Sequence, residues 1–303
     1  MKELSIGLVG CDTSHVIVFS KCFNKADHAD HVEGGRVVMG YPGGSSDFEL
    51  SHSRVGKFTE QLRSEFDVKI VDSPEAIAEA CDLVFITAAD GRTHLDYIRK
   101  TISARKPTFV DKPLAVKSDD AREIMRLGEQ HHVPIMSASS LRYAPPLIEA
   151  LHDDSLGKIA GADVFGPMPI EPTQGGLFWY GIHSVELLNR IMGGGCLEVR
   201  ATTTEKHDVV AATWKDGRVG TVHGLRDAHG KFGATIHRAK GMQFVDAYGH
   251  AAGGRSAYAN MLDAVIRSLP QGKSDVDPND TLEVIRFIEA ANESRKSGAA
   301  VKL

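Results

Sequence analysis

The chain has few cysteines, and the four it has, Cys11, Cys22, Cys81 and Cys196, stand too far apart to form a CxxC pair. That spacing argues against a metal knuckle or a disulfide framework and leads us to expect a reducing, cytoplasmic setting. No apolar run approaches the roughly 20 residues that a membrane-spanning helix needs. The first apolar stretch, Leu4–Val9, is short and lacks the basic flank and small-residue cleavage site of a secretion signal. Charge of one sign is not in large excess either. A formal net charge of -5 gives no electrostatic basis for binding nucleic acid or an anionic membrane surface. Histidines such as His131-His132, His223, His229 and His237 show no metal-ligand spacing, so no metal site is expected. Internal repeats and low-complexity tracts are missing as well.

What is present is the composition of an ordinary globular protein, 42% hydrophobic and 25% charged. At 303 residues the chain exceeds what one core usually serves, so two domains are expected. Leu4–Val9 is apolar without alternation, as a strand covered on both faces would be. His15–Asn24 sets Val16, Val18, Phe19, Cys22 and Phe23 on one side of a helix, with Asp12, Thr13 or Ser14 as its N-cap. Strand patterns follow at Arg36–Tyr41, Val68–Val71, Asp82–Thr87, Pro107–Val110 and Pro134–Ser139. Helices start at Ser73-Pro74-Glu75 and run over Arg92–Ala104 and Ser118–His131. This alternation predicts a doubly wound, Rossmann-type parallel sheet over residues 1–143.

Past Tyr143 the pattern changes. Helices over Pro146–His152 and Gly181–Met192 flank a strand at Ile159–Phe165 and the Gly/Pro-rich Gly166–Gly176. Strand-like segments follow at Glu198–Thr204, Asp208–Trp214, Val219–Leu225, Gly233–Arg238 and Gly241–Asp246, with Asp216-Gly217-Arg218 as a hairpin turn. Helices over Ser256–Ser268 and Asn279–Ser297 close the chain. Residues 144–303 therefore predict an α+β domain with an open, mostly antiparallel sheet.

A dinucleotide site needs glycines after the first strand, for the tight turn, the approach to the pyrophosphate and helix–strand packing. Here Gly10-Cys11-Asp12-Thr13-Ser14-His15 keeps only the first of them. Asp12 puts a carboxylate where a diphosphate would sit, unfavourable unless the side chain turns away. It either does so or caps the helix. Thr13, Ser14 and the helix N-terminus can still hold an anion. The second strand ends Met39-Gly40-Tyr41-Pro42-Gly43-Gly44-Ser45-Ser46, with no acid at its tip for the adenosine ribose. That leaves open both a 2′-phosphate held by Ser45, Ser46 or Arg54 and a site without dinucleotide.

The fourth strand leads into Ala88-Ala89-Asp90-Gly91-Arg92-Thr93-His94 and the fifth into Phe109-Val110-Asp111-Lys112-Pro113-Leu114. Both loops belong at the carboxyl edge of the sheet, where ligands bind. Lys112, ahead of a proline, has restricted backbone freedom. Partial desolvation would lower its pKa and suit it to proton transfer. The plain alternative is a surface lysine paired with Asp111.

Together these segments resemble the Gfo/Idh/MocA family, named for glucose–fructose oxidoreductase and inositol dehydrogenase, over nearly the whole chain. Asp111-Lys112-Pro113 is similar to the family's Glu-Lys-Pro motif, and His94 matches the histidine opening the helix after the fourth strand. Ser140-Leu141-Arg142-Tyr143 resembles the segment entering the second domain. Gly181-Ile182-His183-Ser184-Val185-Glu186 resembles the Gly-x-His-x-x-Asp helix. The resemblance implies NAD or NADP as cofactor, lined by Gly10, Asp12, Thr13, Ser14, His15, Ala88, Asp90, His94, Asp111 and Lys112. In the family the lysine and a histidine of the second domain face the nicotinamide, with an aspartate four residues before that histidine. Carried over, Lys112 bonds the reacting hydroxyl and His183 takes or returns its proton. Trp179 occupies the aspartate's position, so Tyr180 becomes the candidate replacement for the lost polar group. Trp179 either stacks on a substrate ring or packs in the core, and Arg142 either binds substrate or bridges the domains.

The resulting expectation is an NAD(P)-dependent oxidoreductase acting on a sugar, polyol or related hydroxyl compound, a homo-oligomer assembled on its open sheet. Two alternatives share the scaffold. One is a lyase or epimerase that moves protons on a keto-sugar; the other is a non-enzymatic sugar or dinucleotide sensor.

Overall fold

A computed structural model describes residues 3–228, 230–248 and 254–303, so His229 lies outside the described residues. The chain divides into two compact units. The first comprises Met1–Ala115, Asp119–Ala138 and Tyr258–Pro278; the second comprises Val116–Ser118, Ser139–Ala257 and Asn279–Leu303. The boundary thus differs from one after Tyr143. Ser139–Tyr143 belongs to the second unit, and Tyr258–Pro278 returns to the first.

In the first unit the elements run β1 (Leu4–Val9), α1 (His15–Asn24), β2 (Gly35–Tyr41), α2 (Glu49–Phe66), β3 (Lys69–Ile70) and α3 (Pro74–Ala80). They continue with β4 (Leu83–Ile86), α4 (His94–Thr101), β5 (Thr108–Asp111), α5 (Ser118–His131) and β6 (Ile135–Ala138). The sheet order is β3-β2-β1-β4-β5-β6, and its pairings are parallel. The order reverses between β1 and β4, which makes the carboxyl ends of those strands the binding edge. β4 and β5 are buried at every residue, which explains the unbroken apolar run of β4 and the Phe109-Val110 centre of β5. Phe19, Phe85 and Phe109 stack edge-on and tilted, with Phe85 and Phe109 centroids 5.2 Å apart. Aromatic pairs of this kind contribute about 0.5–1.5 kcal/mol each beyond their buried area.

Helix α2 has no counterpart in the sequence reading. It is 18 residues long but buries only Ser51, Thr59, Leu62 and Phe66. A helix with so narrow an apolar stripe leaves little periodic signal. It stops at Asp67, which takes a left-handed conformation with φ 56°.

In the second unit α6 (Pro145–His152), β7 (Ile159–Pro167), α7 (Gly181–Met192), β8 (Cys196–Thr203) and β9 (His207–Trp214) come first. β10 (Val219–Leu225), β11 (Gly233–Arg238) and β12 (Gly241–Asp246) follow. Helix α8 (Ala257–Ser268) lies almost wholly in the first unit; α9 (Pro278–Ser297) and the short β13 (Val301–Lys302) complete the second. The sheet order is β12-β11-β7-β10-β9-β8-β13. Only the β7–β10 pairing is parallel; the others are antiparallel. Helix α7 covers one face and buries Ile182, Val185, Leu187, Leu188, Ile191 and Met192. Each such side chain contributes about 1.5–3 kcal/mol of burial. β9 alternates strictly between exposed and buried residues, so the other face is open. Among the described residues, no helix is long and apolar enough to cross a membrane.

Candidate functional site

The first turn of the first unit is tight. Gly10 has φ 95°, and a Cβ there would come within 2.5 Å of the Ala88 backbone, so only glycine fits. Its neighbour Asp12 neither caps α1 nor faces outward. It is 1% exposed, accepting from the Ser51 hydroxyl at 2.5 Å and the Ala89 amide at 2.9 Å. The carboxylate therefore stitches the first turn to the start of α2 and to the loop after β4. Burial pushes its pKa up, against the pull of the Ser51 and Ala89 hydrogen bonds. Ser14 is the N-cap of α1 without a side-chain cap bond; the Thr13 hydroxyl instead accepts from the His15 amide at 3.3 Å. With the carboxylate turned inward, the amides at Thr13 and Ser14 suit an anion at the start of this ten-residue helix. The turn fits a dinucleotide's diphosphate on that ground.

Two residues of the β4–α4 loop are committed to the protein itself. His94 is fully buried, and both ring nitrogens face main-chain carbonyls: Nδ1 those of Pro113 and Leu114 at 2.9 and 3.2 Å, Nε2 that of Ala88 at 2.9 Å. It fastens the loops after β4 and β5 together, where the sequence suggested a cofactor contact. Asp90 is 1% exposed and accepts from the Arg92 guanidinium, which also makes a two-pronged contact to Asp47 at 2.8 and 2.9 Å. Asp47 is the acid the sequence reading did not find at the end of β2. It stands beyond the strand tip and reaches Arg92 on a distant loop.

At the end of β5, Asp111 and Lys112 sit as the motif predicts. The Asp111 Oδ1 accepts from the Lys112 amide at 2.9 Å, and Oδ2 lies 2.5 Å from His15 Nδ1. The other nitrogen of His15 is 2.8 Å from the Tyr258 hydroxyl on α8. Burial alone would raise the Asp111 carboxyl, but His15 and then Lys112 outweigh it and hold it below the usual carboxylate range. Burial pushes the Lys112 ammonium below its ordinary range, partly opposed by Asp111. Tyr258 was missed because nothing local marks it; its contact with His15 spans 243 positions.

In the second unit His183 occupies the first turn of α7, with Nδ1 2.8 Å from the Ser139 hydroxyl. Ser139 is fully buried and also accepts from the Leu141 amide at 3.2 Å. Tyr180 packs edge-on to His183 with centroids 5.7 Å apart and stacks on Phe232 at 6.4 Å. Phe232 also touches His183 at 5.3 Å and Tyr248 at 5.8 Å. Trp179 packs against Tyr180 at 6.0 Å. His183 is thus set in an aromatic wall of which the sequence showed only the Trp179-Tyr180 part.

Arg142 is placed otherwise than the substrate-binding alternative required. It is 5% exposed and donates to Asn189 at 2.9 Å, Glu186 at 3.4 Å and Asp280 at 3.5 Å. All three partners lie on α7 and α9 of its own unit, so its charge is spent internally. Glu186 is 4% exposed. Burial pushes its carboxyl up to about 7, against Arg142 and the Ser139 amide. Among the described residues, no cluster of histidine, cysteine, aspartate or glutamate could hold a metal ion.

Residues 52–139 match the model of an oxidoreductase family with an NAD-binding Rossmann fold. An inositol 2-dehydrogenase of Paracoccus denitrificans is 28% identical over 97 residues, 32% of this chain and 29% of that enzyme's length. The match to this curated relative therefore spans under a third of its length. An apo scyllo-inositol dehydrogenase of Lactobacillus casei superposes with a TM-score of 0.82 at 15% identity, covering 99% of this chain and 98% of the other. A myo-inositol dehydrogenase of the same organism, solved with NAD(H) and myo-inositol, gives 0.76 at 16% identity, covering 99% and 97%. At such identities these structures bear on the fold alone, and the fold agrees throughout. The family match is confined to residues 52–139, and the parallel sheet and the Asp111-Lys112-Pro113 edge of the first unit agree with that likeness to the Gfo/Idh/MocA oxidoreductases.

Proposed function

We propose that the chain is an NAD(P)-dependent dehydrogenase of a neutral polyol or sugar, with Lys112 and His183 both acting at the reacting hydroxyl. The observation that carries this reading is Lys112, whose ammonium is destabilised by burial at the carboxyl end of β5. A lysine of that kind can bond a substrate hydroxyl and gives up its proton more readily than a solvated one. His183 supports the same reading, because Ser139 and the aromatic wall hold its ring in one orientation. A fixed imidazole can accept the hydroxyl proton as the carbonyl forms and return it in the reverse direction.

When bound, the nicotinamide supplies the hydride acceptor. The Thr13 and Ser14 amides and the α1 N-terminus would hold its diphosphate, with Asp12 kept out of the way by Ser51 and Ala89. The match to inositol dehydrogenases directs the substrate class. Two features of the second unit agree with a neutral ring. Arg142 is taken up by Glu186, Asn189 and Asp280, while Tyr180 and Tyr248, both packed on the buried Phe232, offer aromatic faces suited to the C–H face of a sugar or cyclitol. Tyr180 and Trp179 belong to that wall in this proposal, with Tyr180 contributing stacking in place of the polar group expected of it.

The outer face of the second unit's sheet exposes Met242, Phe244 and Val219, and Phe165 stacks on Phe244. We assign it to contact with a second copy of the chain. The deciding experiment titrates NAD⁺ and NADP⁺ calorimetrically and then follows nicotinamide reduction across inositol isomers, aldoses and their uronates. Binding in the micromolar range and turnover confined to neutral compounds is expected. No binding at millimolar cofactor refutes the dehydrogenase. Binding without turnover favours the sensor, and isomerisation of a keto-sugar without net reduction favours the lyase or epimerase.

A further inference from the structure

The third glycine of a dinucleotide turn is replaced here by His15, and its ring belongs to a hydrogen-bonded chain within the first unit. The Tyr258 hydroxyl lies 2.8 Å from Nε2, and Nδ1 lies 2.5 Å from Asp111 Oδ2. Asp111 turns its other oxygen back to the Lys112 amide at 2.9 Å. Three segments far apart in sequence meet at the residue that carries the reactive amine. We propose that His15, clamped between Asp111 and Tyr258, is a positioning residue for Lys112: it fixes the Asp111 carboxylate over the Lys112 amide, and so holds a negative charge beside the lysine.

The chemistry of the chain has a single self-consistent arrangement for a neutral ring. An ionised carboxylate only accepts, so Nδ1 must carry the proton it shares with Asp111. Nε2 then accepts from the Tyr258 hydroxyl. The acceptor-only carboxylate selects the tautomer, and the Tyr258 hydroxyl, able to donate, completes it. A packing role would not need these atoms. Phe19, 5.8 Å from the His15 ring, shows that an aromatic hydrocarbon suits the same neighbourhood. Instead, a histidine and a tyrosine are placed where a side chain only 7% exposed, that of Asp111, would otherwise pay the full cost of a buried charge. The direction of the Asp111 shift agrees, since His15 and Lys112 together outweigh burial. Lys112, destabilised by its own burial, gains from the same carboxylate.

The catalytic meaning of this inference rests on the dehydrogenase reading, but its physical content does not. The test is competitive acylation of the full chain with acetic anhydride, the extent of Lys112 modification being read by mass spectrometry as a function of pH. No cofactor or substrate is present, so failure of polyol turnover and failure of this inference are separate results. His15→Phe keeps a ring and removes both hydrogen bonds. The Asp111 carboxylate then loses its donor, and the labelling midpoint of Lys112 falls by about one pH unit, a tenfold rise in free amine at fixed pH. Asp111→Asn shifts it at least as far in the same direction. His15→Asn, whose amide nitrogen can stand in for Nδ1, keeps the midpoint near that of the wild type. Should His15→Phe fail to fold, Asp111→Asn against His15→Asn gives the same comparison. An unshifted midpoint in His15→Phe or in Asp111→Asn overturns the proposal. So does a His15→Asn variant shifted as far as Asp111→Asn.

Discussion

Glu186 lies 4% exposed on the inner side of α7, and burial raises its carboxyl from 4.5 to about 7. The folded second unit therefore keeps a proton that the unfolded chain has already released. Between those two values the native state binds more protons, so stability falls as pH rises. The Glu186 contribution is fully present below about pH 4.5 and is lost as pH passes through about 7. A shift of that size corresponds to about 3 kcal/mol, a large share of the roughly 5–15 kcal/mol that holds a domain folded. Replacing the acid, Glu186→Gln, removes this titration while keeping an amide that can accept from Ser139. The chain's two tryptophans, Trp179 and Trp214, both belong to the second unit, so their fluorescence reports on its unfolding. Urea unfolding of both proteins from pH 4.5 to 8 gives a difference curve in which the other groups cancel. Wild type minus variant should fall by about 3 kcal/mol across that range. A flat difference curve refutes the reasoning, because it would mean that Arg142 fully compensates the buried charge.

Removing the Ser51 hydroxyl by Ser51→Ala takes one donor from the buried Asp12 carboxylate and should cost about 1.5–3 kcal/mol by thermal unfolding. Gly10→Ala forces a Cβ into the Ala88 backbone, so dinucleotide affinity should fall at least tenfold in a calorimetric titration while the second unit's tryptophan transition stays unchanged. His94→Leu orphans the carbonyls of Ala88 and Pro113 and is expected to lower the first unit's stability by about 2–4 kcal/mol, read by hydrogen exchange of β4 and β5. Ser139→Ala removes the hydroxyl facing His183 Nδ1, and the pH profile of polyol oxidation should move while the cofactor dissociation constant does not.

The architecture was legible because its strands declare themselves. β4 is apolar without a break and β1 nearly so, while β9 and β10 alternate, which are the signatures of a sheet covered on both faces and one left open on one. Helix α2 was not legible, since a mostly polar exposed helix carries little of the 3.6-residue period. The site divides in the same way. The proposed reactive residues, Lys112 and His183, stand in local motifs, so sequence alone could suggest them. What it could not supply were the partners, because those are fixed by folding: Ser51 for Asp12, Tyr258 for His15, Ser139 and Phe232 for His183. Arg142 shows the converse. Its motif left substrate binding and bridging of the domains both open, whereas Glu186, Asn189 and Asp280 use its charge inside the unit, and no local pattern announces three partners on two later helices.

Transfer of deuterium is the most direct measurement of the proposed reaction. Inositol carrying deuterium on its ring carbons, incubated with the protein and NAD⁺ or NADP⁺, should yield reduced cofactor heavier by one deuterium, and Lys112→Ala should reduce that transfer by at least a hundredfold. Reduced cofactor without the label, no reduced cofactor from any neutral polyol, or undiminished transfer by Lys112→Ala would contradict the account.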